Sequence, residues 1–158
     1  MLNMTGAQAV VRCLADQGVS RVFGLPGMHN LELTDVLIDS SIENVLVTSE
    51  LSAVFMADGY ARATGRAGVC IAIPGPGLTN MVTGLAEALL DSSPIVVMVT
   101  TTPQDGFVFH THEIPQLATV APVVKGTFRI SEGEKIPEVI AKAFQLAGDG
   151  EPGPVHGV

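Results

Sequence analysis

Charge is what this sequence has least of. Only 15% of its 158 residues are Asp, Glu, Lys or Arg, where average domains carry about 25%. A chain so short of solvating surface is expected to bury part of it against another domain or subunit. The remaining charges sum to −8 with no basic cluster, which argues against nucleic acid or an anionic membrane as partner. Long apolar runs are also missing: stretches such as Ile95 to Val99 are far too short to span a bilayer. The opening MLNMTGAQAV has no basic segment followed by an apolar one, so it does not read as a signal peptide, and a cytoplasmic location is expected. The two cysteines, Cys13 and Cys70, lie far apart in apolar contexts without CxxC spacing. Two buried free thiols in a reducing compartment are the expectation. With no repeat, low-complexity tract or linker, the chain reads as one domain with its own core.

Several chemical signatures are absent too. No GxxxxGK[ST] occurs, which excludes a P-loop, and no GxSxG or Cys beside a His offers a covalent hydrolase a foothold. Gly75-Pro76-Gly77-Leu78-Thr79-Asn80 imitates GxGxxG but carries Asn at the third glycine, and it follows the third strand rather than the first. No acid stands about 20 residues on to take a ribose, so a dinucleotide site is disfavoured.

What is present is a regular alternation. Thr5 caps a helix whose apolar positions are Ala7, Val10, Val11 and Leu14, stopped by Gly18. Val19 to Phe23 reads as a strand, Asn30 to Ile38 as a helix, and Glu43 to Val47 as a second strand. Thr48 or Ser49 caps a helix from Glu50 to Thr64 that ends at Gly65. That helix is apolar nearly all round near Ala53 to Ala57, as expected for burial on more than one side. Val69 to Ile73 and Pro94 to Val99 are apolar without alternation, the pattern of strands covered on both faces. Between them Leu78 to Leu90 is helical. A short helix over Ile114 to Val120, a strand over Val123 to Ile130, a helix over Pro137 to Leu146 and a strand from Pro154 to Val158 complete the chain. This predicts a three-layer α/β fold, with a central parallel sheet of about six strands and helices on both faces.

Such sheets bind ligands at the carboxyl ends of their strands, where three groups fall: Gly24 to His29, Thr48 to Glu50, and Pro74 to Asn80. Glu50 is the residue most suited to chemistry, although a lone acid in a first helical turn is ordinary, since the dipole favours an anion there. The glycines of the Pro74–Asn80 loop either let backbone approach a ligand or serve a tight turn alone. His110, His112 and Glu113 invite a metal reading, with i and i+2 sharing a strand face, but they fit polar residues at a pocket mouth better, and no metal site is expected from these side chains.

Taken together, SELSAVFMADGYARATGRAGV followed by IPGPGLTN resembles the N-terminal, pyrimidine-binding domain of thiamine-diphosphate enzymes. The acetolactate synthases and their 2-oxo acid decarboxylase relatives are the group it is most similar to. VFGLPGMHNLEL, PVVKGTFRI and GEPGPVHGV resemble the same domain in the same order, so the likeness covers nearly all of residues 1–158. His112-Glu113-Ile114-Pro115 looks more like a guanidino-oxo-acid decarboxylase branch, and Ser49 stands where His is common. The resemblance implies thiamine diphosphate as cofactor and a 2-oxo acid as substrate. It implies that Glu50 hydrogen-bonds a ring nitrogen of the aminopyrimidine and so promotes loss of the thiazolium proton. Burial beside Leu51 and Val54 would favour the protonated carboxyl that this needs; the helix dipole opposes it.

By the same match Pro26 and Gly27 face the cofactor, and Pro74, Gly75, Gly77 and Asn80 line the pyrimidine pocket. Met28, His29, His112 and Glu113 lie on the substrate side. The family holds the diphosphate through Mg²⁺ on a separate domain with a GDG motif. Gly148-Asp149-Gly150 follows a helix rather than a strand, so the diphosphate-binding domain is expected to lie outside this chain, in the same or a partner polypeptide, with the catalytic unit a homo-oligomer. Residues 1–158 alone are then expected to be inactive. The alternatives are a subunit of a split 2-oxo acid decarboxylase and a non-catalytic interaction domain of the same fold.

Overall fold

The computed structural model describes residues 4–102 and 110–157. Helix and strand alternate through α1 (Gly6–Asp16), β1 (Arg21–Gly24), α2 (Leu31–Ile38), β2 (Glu43–Leu46), α3 (Glu50–Thr64), β3 (Gly68–Ala72), α4 (Pro76–Leu90), β4 (Ile95–Val99), α5 (Gln116–Val120), β5 (Gly126–Phe128), α6 (Ile136–Gly148) and β6 (Val155–Gly157). The six strands form one sheet in the order β2-β1-β3-β4-β6-β5, and every neighbouring pair is parallel. The three-layer α/β architecture is thus present.

Local chemistry accounts for the helix ends. Thr5 and Gln8 form a reciprocal cap: the Gln8 amide donates to Thr5 Oγ1 at 3.2 Å, and the Thr5 amide donates to Gln8 Oε1 at 3.0 Å. Ser49 caps α3 through its backbone alone, its hydroxyl making no capping bond, and its carbonyl accepts from the Ala53 amide at 3.1 Å. Gly65 closes the same helix at φ 67°, returning its amide to the Ala61 carbonyl at 2.9 Å.

Two apolar layers sandwich the sheet. Val11, Leu14, Leu33 and Leu37 bring α1 and α2 onto one face with Val22, Val69 and Ile71, and Ala143 and Ala147 of α6 join them over Val96 and Val155. Val54, Ala57, Leu78, Met81 and Leu85 bring α3 and α4 onto the other, over Cys70, Val97 and Val99. β3 is buried at every position, as a doubly covered strand requires. Arg62 ties α3 to the end of α4: its Nε donates to Asp58 Oδ1 at 2.9 Å and its Nη2 pairs with Asp91. These bonds, the one to Asp58 foremost, hold its guanidinium proton more firmly than usual.

Several expectations need correction. α3 is covered on one side only, because Leu51, Phe55 and Met56 on its other side are 37%, 43% and 47% exposed. β1 begins at Arg21 rather than Val19, and β5 spans Gly126–Phe128 rather than Val123 to Ile130, because Ala121–Val123 forms a 3-10 turn beginning beside Pro122. Cys13 is half-buried; Cys70 is fully buried, where desolvation pushes its thiol pKa up. Val158, expected in the sixth strand, lies outside the described residues. No helix among the described residues is long and apolar enough to cross a membrane.

Candidate functional site

Topology opens the site. β1 and β3 are neighbours in the sheet, yet β1 leads to α2 on one face and β3 leads to α4 on the other. Their outgoing chains part at the carboxyl edge and leave a crevice there, the position at which open parallel sheets hold ligands. Residues 25–30 form one wall and residues 73–80 the other, with the start of α3 beside them. Gly148-Asp149-Gly150 precedes β6 and therefore lies at the opposite, amino edge.

Glu50 is the first residue of α3 and Asn80 stands in the first turns of α4. Their side chains meet: Asn80 Nδ2 donates to Glu50 Oε2 at 3.0 Å. Among the described residues Glu50 Oε1 accepts no hydrogen bond, so one oxygen is fixed and the other is free. Oε1 points toward Gly77, where an added Cβ would stand 3.6 Å away. Glu50 is half-buried rather than enclosed, since Leu51 beside it is exposed while Val54 is fully buried.

The loops are fitted tightly to one another. An added Cβ at Gly27 would lie 2.7 Å from Ile73 Cγ2, and one at Gly77 would lie 2.9 Å from Ile73 Cγ1. Ile73 is therefore the spacer between the two crevice walls. The Gly27 amide donates to Asn30 Oδ1 at 2.7 Å, and Asn30 Nδ2 donates to the Leu25 carbonyl at 3.2 Å. Asn30 is 1% exposed, so this buried amide braces the first wall from inside. Neither Ile73 nor Asn30 stands out in the sequence; the only signal is an Asn three residues after Gly27, the spacing at which a side chain returns to the backbone.

The substrate-side candidates also converge. His29 and His112 come together with ring centroids 5.6 Å apart and planes at 70°. His112 Nδ1 is buried without a hydrogen-bond partner among the described residues. His112 lies in a turn at φ 72°, not on a strand, so His110 and His112 do not share a strand face. Pro74 and Gly75 are buried; Pro26, Met28 and Glu113 are exposed around the mouth. Among the described residues no group of three or more His, Cys, Asp or Glu side chains comes together as metal ligands.

A parallel α/β sheet with an acid, an amide and glycine-lined loops at its switch point defines a class of ligand-binding domain. Sequence comparison places it further: residues 4–120 match the model of the thiamine pyrophosphate enzyme, N-terminal TPP binding domain. The chain belongs to this family. It is 47% identical over 161 residues to the acetolactate synthase isozyme 3 large subunit of Escherichia coli, a match covering 98% of this chain and 27% of that protein. A probable acetolactate synthase large subunit of Methanocaldococcus jannaschii is 42% identical over 158 residues, 97% of this chain and 26% of that protein. The chloroplastic acetolactate synthase of Arabidopsis thaliana is 43% identical over 156 residues, 95% of this chain and 23% of that protein. The chain thus spans about a quarter of the length of these relatives.

Proposed function

We propose that this chain forms the aminopyrimidine half of a thiamine diphosphate site in an acetolactate-synthase-like enzyme acting on 2-oxo acids. The observation that carries the reading is the Glu50–Asn80 pair in the crevice. A carboxyl with one oxygen held by an amide and the other free fits a ring nitrogen that must exchange a hydrogen bond for a proton. Bound there, the cofactor would supply the electron sink for cleaving a bond next to a carbonyl.

The protein's part is positional. Asn80 fixes the rotamer of Glu50, so its free oxygen is aimed before a ligand arrives. Gly77 leaves the space in front of that oxygen clear. Pro26, Gly27, Pro74 and Gly75 form the crevice walls, while Met28, His29, His112 and Glu113 border the side from which a 2-oxo acid would approach. Glu50 would hold or yield one proton at the pyrimidine nitrogen, and closure of the exposed mouth by a second domain would exclude water. That domain, in the same or a partner chain, would carry the Mg²⁺ ligands for the diphosphate.

The test is exchange of the thiazolium proton for deuterium in the assembled enzyme, followed by NMR. Glu50→Gln keeps an oxygen for Asn80 to donate to but removes the ionisable group. Exchange should slow by about 10²–10⁴-fold with the fold intact. An unchanged exchange rate would remove Glu50 from the chemistry.

A further inference from the structure

Gly75 is where the 110–115 segment locks onto the Pro74–Asn80 wall of the crevice. Its backbone holds φ 65° and ψ −115°, a conformation that L side chains rarely adopt. An added Cβ would lie 2.6 Å from the His112 carbonyl oxygen, 2.8 Å from its Cα and 2.9 Å from its Cβ. Two of those three atoms are backbone, so no rotamer change relieves the overlap. The space a side chain would fill at position 75 is thus taken by the 110–115 segment, not left open toward a ligand.

The other partner of this contact is also under constraint. His112 holds φ 72°, in the left-handed region that a residue with a Cβ enters only at a cost. The segment is held on both sides of it. The Glu113 amide donates to the His110 carbonyl at 3.1 Å, and Gln116 Nε2 donates to the Thr100 carbonyl at 3.0 Å. Ile114 packs against the core under α3 and α4. In this seat the His112 ring stands edge-on to His29, 5.6 Å away across the crevice mouth.

We propose that Gly75 is a positioning residue that acts through His112. By lacking a side chain it seats the 110–115 segment on the Pro74–Asn80 loop, and so sets the His112–His29 pair on the substrate side of the site. The two loops then move as one body, and a ligand that shifts the first displaces the second. The role assigned to that side rests on the function proposed above; the seat itself does not.

The experiment uses residues 1–158 with labelled histidines, and the variant Gly75→Ala. Loss of the inter-ring nuclear Overhauser contact between His29 and His112 is the expected result. A folded variant that keeps this contact would overturn the proposal. Should Gly75→Ala not fold, His112→Gly and His112→Ala decide it. The seat imposes a positive φ, so the glycine variant should exceed the alanine variant in folding equilibrium constant by about five- to thirtyfold. Equal stabilities would overturn it. In the full-length enzyme, Gly75→Ala should raise KM for the 2-oxo acid by a larger factor than it weakens thiamine diphosphate. The reverse order would make Gly75 a cofactor residue only. If the wild-type enzyme bound no cofactor, the function would fall while the histidine signals still judged the seat.

Discussion

His156 is an anomaly at the scale of a single residue. It lies on β6 between Val97 of β4 and Thr127 of β5, is fully buried, and neither ring nitrogen has a hydrogen-bond partner among the described residues. Burial disfavours the imidazolium and pulls its pKa down to about 4. Between about pH 6.5 and pH 4 the unfolded chain binds a proton at this position and the folded chain does not, so stability falls as pH falls through that window and levels below it. His156→Leu removes the proton-binding difference and two unpaired polar atoms. Urea unfolding at pH 7, 5 and 4 should show a smaller acid loss in the variant, by roughly 1–3 kcal/mol between the extremes. Parallel pH profiles would mean that the ring is solvated or paired in solution. Asn80 makes a second prediction at this scale. Asn80→Ala removes the one donor that Glu50 has among the described residues, so in the assembled enzyme thiazolium exchange should slow about tenfold or more, yet less than in Glu50→Gln. An exchange rate equal to wild type would show that another group aims the carboxyl.

Pairs of elements obey simpler rules. α3 crosses α4 so closely that a Cβ added at Gly84 would stand 2.9 Å from both Cβ and Cγ1 of Val54. Val54 is β-branched and fully buried, so it cannot turn aside. Gly84→Ala should therefore destabilise the domain by about 1–3 kcal/mol despite the higher helix propensity of alanine, and the double variant Gly84→Ala with Val54→Ala should recover part of it. Thermal melts of the four species measure the coupling; strict additivity would rule the contact out as the cause. The existence and order of such elements were legible from the sequence. The Gly65 stop, the continuous apolar strands and the N-cap at Thr5 depend on local chemistry, and each stands where the spacing put it. What escaped was set by partners far along the chain. No local signal places His112 at a positive φ, because its backbone is held against Gly75, and none marks Ile73 as the spacer for Gly27 and Gly77. The run Ala53 to Ala57 reads as burial all round, but composition cannot say which molecule covers the second side of a helix. Glu50 and the Pro74–Asn80 loop were visible as separate pieces; only the parallel topology, with β2 and β3 on either side of β1, brings Asn80 to Glu50.

For the molecule as a whole, the outer side of α3 is decisive. Leu51, Ser52, Phe55, Met56 and Gly59 are all exposed, and none carries charge. Among the described residues, nothing beyond the backbone of its own helix and its chain neighbours lies within 4 Å of the position a Cβ would take at Gly59. A soluble helix ordinarily sets charged residues on its open side, so this one is built to be covered. The uncovered strip begins beside Glu50, at the crevice mouth, so whatever covers it also borders the site. Residues 1–158 alone should therefore self-associate through this strip, with half-dissociation on the order of tens of micromolar, because the strip is short. Phe55→Glu with Met56→Glu should return the chain to a monomer in sedimentation velocity without altering its melting temperature, since neither side chain is in the core. A wild-type chain that stays monomeric at high concentration would remove the argument from the apolar strip. The same geometry limits what the isolated chain can bind. It offers the Glu50 carboxyl and the crevice walls, but a net charge of −8 and no cationic cluster to meet a diphosphate. Thiamine diphosphate with Mg²⁺ should bind it only on the order of millimolar, and the binding should not release carbon dioxide from a 2-oxo acid. Micromolar binding with turnover would mean that residues 1–158 hold a complete site, and that the acid at Asp149, at the far edge of the sheet, should be tested as a metal ligand.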